Sequence, residues 1–261
     1  MLDLKNIESF YPSNLRPFKR NILREYLQYK ILEIIFDSSY GPGLSFMGGT
    51  AIQLIHGNTR FSEDLDFDNL SLKTCDFEKM TQEILQRLKL SGFKTQAKTN
   101  LGDVCRSYIR FSDVLFDLGL SGHKEEKILI QVDTQPQKFK YSPDKVILNK
   151  FDVFLIVNVV PIDILLSQKL FAAIDRPRPM GRDFFDIVYL SGKTTPNYSY
   201  LAAKMGVKNA KQLKAKLLEH CKNFNFKLLA LDVESMLYVP GDVKKVVMFR
   251  EFLEKSLFKM K

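Results

Sequence analysis

Two short stretches of the chain contain residues suited to phosphate chemistry. The first is Gly48-Gly49-Thr50, which lies between an apolar segment at 44–47 and a segment of helical composition at 51–56. Glycines between a strand and a helix let the backbone approach a ligand closely, and the free N–H groups at a helix N-terminus attract phosphate. Thr50 adds a hydroxyl group. Glycines in this position also form ordinary turns, so the stretch alone is a weak signal.

The second stretch is the acidic pair in Asp64-Leu65-Asp66. In an extended strand residues i and i+2 point to the same face, so both carboxylates would meet the same ligand. Adjacent like charges are costly unless they are neutralised, and a Mg²⁺ or Mn²⁺ ion that also contacts phosphate oxygens neutralises them. The alternative is a solvated acidic strand end. The apolar Leu65 and Phe67, which would face the core, favour the metal site.

A third carboxylate is expected from a neighbouring strand. Residues 128, 130 and 132 are apolar and share one face of the strand predicted at 127–134, which leaves Asp133 on the other face near the strand end. Asp133 is therefore the predicted third metal ligand. The alternative is that Asp133 starts the turn formed by the Thr-Gln-Pro sequence after it.

The elements around these residues predict an α+β fold. A helix at 15–36, the strand at 44–47, a strand at 61–67 and an amphipathic helix at 76–90 precede one or two strands within 104–120 and the strand at 127–134. This pattern predicts a small mixed sheet flanked by helices. An apolar strand at 154–160 and helices at 162–174, 183–190 and within 198–261 follow. We expect a core at 1–150 and a mainly helical domain at 151–261.

Four blocks of the sequence together resemble the AbiEii/AbiGii nucleotidyltransferase toxin family. They occur in the family's order and span more than half of the chain, and as an ordered set they are specific. The blocks are Gly48 to Ala51, Arg60 to Phe67, Lys169-x-x-Ala172, and Arg182-Asp183-x-x-Asp186-x-x-x-Leu190. The resemblance implies a polymerase-beta-like nucleotidyltransferase core, a helical C-terminal domain, and a toxin role in type IV toxin–antitoxin or phage-abortive systems. It also implies an NTP substrate, transfer in some relatives to the 3′ end of tRNA, and a possible antitoxin protein as partner.

The resemblance also implies roles for individual residues. Gly49 and Thr50, with Gly48, would hold the triphosphate, and Asp64 and Asp66 would hold the metal ions. Lys169 would contact the phosphates, although a lysine that snorkels from a half-buried helix is the alternative. Asp186 would orient Lys169 or the nucleotide, whereas Asp183 could also cap its own helix. The remaining residues expected to bind nucleotide are Arg60, Ser62 and Asp183. Many polymerase-beta-like enzymes carry Gly-Ser where this chain has Gly49-Thr50, but the Gly-Gly-Thr form suits this family.

The charge of the chain is concentrated at its C-terminal end. The net charge is +9, and the stretch from Lys193 to Lys261 holds 14 Lys and Arg residues against 6 Asp and Glu residues. Phe224, Phe226, Tyr238 and Phe249 lie among these basic residues. The stretch is either a solvated lysine-rich surface or a surface that binds a polyanion such as tRNA.

Other functional classes are less compatible with the sequence. The three cysteines and three histidines are scattered, which argues against a disulfide framework and a zinc site. The apolar runs are shorter than the roughly 18 residues that cross a membrane, and the first residues do not resemble a secretory signal, so we expect a cytoplasmic protein. Two alternatives remain: a glycosyltransferase or phosphatase that uses the acidic pair, and a non-catalytic module that binds nucleotide or nucleic acid.

Overall fold

The computed structural model describes residues 2–255, which form two compact units. The first unit contains the described residues up to Ala51 together with Ser62–Val159. The second contains Ile52–Phe61 together with the described residues from Val160 onward. The predicted domain boundary near residue 150 stays a prediction. The two units divide the chain after Val159, and the segment 52–61 groups with the C-terminal residues.

A mixed sheet of seven strands organises the first unit. The strand order is β3-β4-β5-β2-β1-β7-β6, with β2 parallel to β5 and antiparallel to β1. The strands are β1 (Leu44–Met47), β2 (Leu65–Asn69), β3 (Lys94–Asn100), β4 (Cys105–Ser112), β5 (Ile128–Pro136), β6 (Asp144–Lys150) and β7 (Val153–Val159). The two acidic positions on paired central strands, Asp66 and Asp133, are thereby brought into register.

Helices cover the apolar face of this sheet. The helices of the first unit are α1 (Leu4–Ser9), α2 (Lys19–Phe36), α4 (Thr74–Leu90), α5 (Val114–Asp117) and the start of α3 (Gly48–His56). Helix α4 packs on β3 and β4, and α2 packs on β7 and β5. Both of these long helices bury most of their apolar residues, so the core lies between them and the sheet.

The sequence predicted most of these elements but misplaced some boundaries. The strand predicted at 61–67 begins only at Leu65 and continues to Asn69, so its first four predicted residues are wrong. Helix α2 begins at Lys19 rather than at residue 15. Strands β3 and β6 were not predicted, because both are edge strands of largely exposed residues and lack a continuous apolar face.

The second unit is helical, as predicted. It contains the end of α3 and the helices α6 (Ile162–Asp175), α7 (Gly181–Ser191), α8 (Tyr198–Met205), α9 (Ala210–His220), α10 (Phe226–Glu234), α11 (Lys244–Val247) and α12 (Phe249–Lys255). Its aromatic centre is Phe184, whose ring packs against Phe226 and Phe249. The aromatic residues at positions 226 and 249 therefore belong to a core and are not available for bases to stack on. No helix within residues 2–255 is long and apolar enough to cross a membrane.

Candidate active site

Gly48 lies very close to the acidic strand. Its φ angle is +78°, a left-handed conformation that favours glycine. A Cβ atom at this position would overlap Oδ2 of Asp66, far inside van der Waals contact. The backbone at the start of α3 can therefore pass directly beside the Asp66 carboxylate only because residue 48 has no side chain.

Asp64 directly precedes β2 and Asp66 is the second residue of that strand. Leu65 and Phe67 are buried, whereas Asp64 and Asp66 keep partial exposure, which is the alternation that the sequence predicted. The hydroxyl of buried Thr50 donates a hydrogen bond to the backbone carbonyl of Asp64. Thr50 thus fixes the chain at the first acidic residue, and its hydroxyl points to the protein backbone.

Asp133 lies directly beside Asp66, because the two residues are register partners on the parallel strands β2 and β5. Its carboxylate accepts from Nε of Arg106, at 3.0 Å for Oδ1 and 2.9 Å for Oδ2, and from Nε2 of Gln131 at 3.0 Å. Burial raises the pKa of Asp133, and the hydrogen bond and charge of Arg106 offset part of that rise. Arg106, which belongs to none of the sequence blocks, therefore holds the Asp133 carboxylate in place and keeps its pKa lower than burial alone would.

These oxygen atoms suit a hard divalent metal ion. Asp64 and Asp66 provide two adjacent carboxylates, which are the ligands that Mg²⁺ prefers in proteins. Within the described part of the chain, no group of three or more His, Cys, Asp or Glu residues is arranged to hold one metal ion. Beside the acidic pair, the Arg106 side chain holds the Asp133 carboxylate in an ion pair. The donor set thus fits a metal ion at Asp64 and Asp66, with Asp133 next to them.

The second unit contains a separate buried network of charges around Asp186. Nε and Nη2 of Arg60 donate to Oδ1 and Oδ2 of Asp186 at 2.7 and 2.6 Å. Nδ2 of Asn58 donates to Oδ1 at 2.8 Å. Arg60 and Asp186 are both almost completely buried. In this arrangement the Arg60 guanidinium donates its hydrogen bonds to protein groups, and its direct role is to hold the Asp186 carboxylate.

Lys169 connects this pair to Asp183. Its Nζ lies 3.0 Å from Oδ2 of Asp186 and 3.1 Å from Oδ1 of Asp183. Nε of Arg176 lies 3.0 Å from Oδ2 of Asp183. The network therefore joins three cations to two carboxylates. Lys169 does not snorkel to solvent, since only 11% of its side chain is exposed and its charge is paired inside the unit.

The predicted site residues thus fall into two groups. Gly48, Thr50, Asp64, Asp66 and Asp133 come together in the first unit, whereas Arg60, Lys169, Asp183 and Asp186 come together in the second. Gly49 lies on the first turn of α3, and the backbone carbonyl of Ser62 accepts from Nε2 of Gln28 at 3.1 Å. The binding roles assigned to all of these residues stay predictions. No sequence pattern pointed to Arg106, Arg176 or Asn58, whose contacts depend on strand register and tertiary packing.

The chain combines a mixed sheet with two adjacent carboxylates beside a glycine loop, and its match to a family model identifies it as a nucleotidyltransferase. The sequence model of the family "Nucleotidyl transferase AbiEii toxin, Type IV TA system" matches residues 30–237. The chain belongs to this family, whose members are the nucleotidyltransferase toxins of type IV toxin–antitoxin systems. No curated protein matches the chain.

Two solved structures from Helicobacter pylori are similar to this one. JHP933 is 16% identical, with a TM-score of 0.55, and the match covers 91% of this chain and 93% of JHP933. A candidate nucleotidyltransferase from the same organism is 16% identical, with a TM-score of 0.55, and the match covers 91% of this chain and 96% of the other. At this identity the similarity shows the fold alone, which agrees with the predicted nucleotidyltransferase core and helical C-terminal region.

Proposed function

We propose that the protein transfers a nucleotide from an NTP to an RNA acceptor such as tRNA. In this proposal Mg²⁺ or Mn²⁺ binds at Asp64 and Asp66, and Asp133 completes the set of carboxylates. The observation that carries this proposal is the register of Asp66 with Asp133, with the backbone of Gly48 next to the Asp66 carboxylate. This arrangement puts a potential phosphate loop on one side of the acidic pair and a third carboxylate on the other side.

The chemistry assigned to the site is a phosphoryl substitution. A hydroxyl oxygen of the acceptor forms a bond to the α-phosphorus of the NTP, the bond to the β-phosphate oxygen breaks, and pyrophosphate leaves. The hydroxyl proton passes to a carboxylate of this set. A divalent ion, when bound, stabilises the charge on the phosphate oxygens. The backbone of Gly48 and Gly49 orients the triphosphate, and the buried Thr50 hydroxyl holds the chain in place at Asp64 beside it.

The acceptor is assigned to RNA because of charge. The excess of positive charge in the C-terminal stretch gives a surface that attracts a polyanion, and Lys208, Lys211 and Lys216 are exposed on or just before α9. The toxin family implies that an antitoxin protein opposes this activity. A cytoplasmic location, where NTPs and tRNA are both present, is part of the proposal.

The test is transfer of label from each of the four α-labelled NTPs to total RNA in the presence of Mg²⁺. We expect labelled RNA with one or more NTPs, and loss of labelling with Asp64→Asn and Asp66→Asn. Each substitution should reduce the rate by about two orders of magnitude or more, because electrostatic stabilisation of the transition state is lost. If protein is labelled and RNA is not, the acceptor is a protein. NTP binding with no transfer to either acceptor would favour a non-catalytic binding module.

A further inference from the structure

One face of the sheet in the first unit is open and basic beside the carboxylate set. On β3, β4 and β5, alternate residues point away from helix α4 and stay exposed or half-exposed, whereas the residues between them, such as Ile109, Phe111 and Ile130, are buried. The residues of the open face are Lys94, Gln96 and Lys98 on β3, Arg106, Tyr108 and Arg110 on β4, and Leu129, Gln131 and Asp133 on β5. We call these nine residues the open sheet face.

The register makes this face continuous with the acidic pair. Asp66 is the partner of Asp133 on β5, Asp133 is the partner of Arg106 on β4, and Arg106 is the partner of Asn100 on β3. Neighbouring strands are about 4.8 Å apart, so the face extends about 14 Å from β2 to the edge of the sheet. That width suits a few nucleotides of an extended single strand rather than a duplex.

The position of this face distinguishes it from the triphosphate side. Gly48 directly follows β1, which flanks β2 on one side, whereas the open sheet face begins at β5 on the other side of β2. An NTP whose phosphates lie at Gly48 therefore leaves the β5 side of Asp66 for the acceptor hydroxyl. An acceptor chain that reaches Asp66 along the sheet from this side crosses β3, β4 and β5.

The charges and the aromatic ring of this face fit a polynucleotide. Four of its side chains are cations and only Asp133 is an anion. Asp133 pairs with Arg106, and Lys94 pairs with Asp113 at 2.7 Å. Within residues 2–255, Lys98 and Arg110 form no ion pair with a carboxylate. The Arg110 guanidinium lies 5.9 Å from the centre of the Tyr108 ring, which is a combination that stacks bases and binds phosphate.

We infer that the open sheet face binds the single-stranded 3′ end of the RNA acceptor, with a base on Tyr108 and phosphates on Arg110 and Lys98. The inference rests on the proposed function, since it assigns the acceptor of the same site. Arg106 is a positioning residue in this arrangement, because it holds Asp133 next to the incoming strand. The adjacent cations also offset the repulsion between the RNA phosphates and the carboxylates.

The experiment measures binding without transfer. A fluorescently labelled single-stranded RNA oligonucleotide with a free 3′ hydroxyl is titrated with protein in the absence of NTP, at two salt concentrations. Tyr108→Ala should weaken binding about tenfold, whereas Tyr108→Phe, which keeps the ring, should bind like wild type. Lys98→Gln combined with Arg110→Gln should weaken binding by a similar factor and reduce the log–log salt slope by about 0.7 for each phosphate that is no longer neutralised.

Lys145→Gln on the opposite edge strand β6 is the control for loss of charge, and NTP affinity and thermal unfolding are measured for every variant. The inference is overturned if the face variants bind the RNA as wild type does, or if Lys145→Gln weakens binding equally. RNA binding through this face by a protein that transfers no nucleotide would uphold the inference while removing the proposed function. Transfer to RNA that is unchanged in the face variants, together with unchanged RNA binding, would remove the inference alone.

Discussion

Arg60 and Asp186 form an ion pair with two parallel hydrogen bonds, in which 2% of the arginine side chain and none of the aspartate side chain is exposed. The pair joins the segment before Phe61 to helix α7 within the second unit. Nη1 of Arg60 also donates to the backbone carbonyl of Phe61 at 3.0 Å, and Arg60 forms an antiparallel bridge with Leu237. Arg60, which belongs to the same sequence block as Asp64 and Asp66, is therefore also a structural anchor of the second unit.

The first prediction concerns the stability that this anchor provides. Arg60→Met leaves the buried Asp186 carboxylate with Lys169 and Asn58 but without its main partner. Removing one partner of a buried pair costs about 3–5 kcal/mol, so the free energy of unfolding in urea should fall by about that amount. Arg87→Met, which removes a partly exposed arginine from α4, is the control and should cost less than about 1 kcal/mol. Similar losses in the two variants would contradict the anchoring role.

The second prediction is the dependence of stability on pH. Burial alone would raise the pKa of Asp186, but the charges of Arg60 and Lys169 and the hydrogen bonds from both outweigh it and hold the pKa below its ordinary value. The folded state therefore binds this proton more weakly than the unfolded state, whose pKa is about 3.9. The contribution of the ionised carboxylate is complete well above that pH and is lost as pH falls through the folded pKa.

The measurement compares wild type and Asp186→Asn by urea unfolding from neutral pH to about pH 3. The difference in unfolding free energy between the two proteins should be constant near neutral pH and should shrink below about pH 4. A difference that stays constant to pH 3 would mean that Asp186 does not titrate differently in the folded and unfolded states.

The sequence predicted the placement of the candidate site residues better in the first unit than in the second. The alternation around Asp64 and Asp66 and the position of Asp133 follow from a period of two residues, which is a local property, and the structure has both. The partners of Arg60 and Lys169 could not be predicted, because they depend on how α3, α6 and α7 pack. Arg106 was missed for the same reason: its contact with Asp133 depends on the register of β4 against β5, which no local pattern determines.

The third prediction separates steric exclusion at Gly48 from backbone strain. Gly48→Ala places a methyl group in contact with the Asp66 carboxylate and also strains a left-handed residue. Gly92→Ala is the matched control, because Gly92 also has a positive φ, of +89°, but has open space around its Cβ position. Both variants should lose about 1 kcal/mol of stability from strain.

Only Gly48→Ala should lose activity, and we expect a decrease in nucleotide transfer of at least about 100-fold, because a misplaced catalytic group costs that much. Rates of labelled-NTP transfer and urea unfolding curves for the two variants provide the comparison. Equal activity in Gly48→Ala and wild type would show that Asp66 tolerates displacement, which is incompatible with a role in binding metal.

The fourth prediction concerns Lys169. Lys169→Met keeps the length of the side chain but removes the charge that pairs with Asp183 and Asp186. Because buried carboxylates then lose a partner, the free energy of unfolding should fall by about 2 kcal/mol or more. If Lys169 also contacts phosphate, the affinity for a fluorescent NTP analogue should fall about tenfold while RNA affinity stays near that of wild type. Reduced stability with unchanged NTP affinity would restrict Lys169 to a structural role.

The last prediction concerns RNA recruitment by the C-terminal region. Lys208, Lys211, Lys214 and Lys216 lie on or just before α9, and within the described residues none of the four forms an ion pair with a carboxylate side chain. Phe226 and Phe249 are in the core, which leaves the exposed lysines as the main candidates for binding a polyanion here. Replacing the four lysines by Gln should therefore weaken tRNA binding and lower its salt slope by up to about 0.9 for each phosphate that the variant no longer neutralises, while NTP affinity stays the same. A second variant with Lys5, Lys79, Lys138 and Lys145 replaced by Gln removes the same charge from other surfaces. Binding that is weakened equally in the two quadruple variants, at both salt concentrations, would mean that the α9 lysines act only through net charge. Equal tRNA affinity of the α9 variant and wild type would identify these lysines as solvated surface.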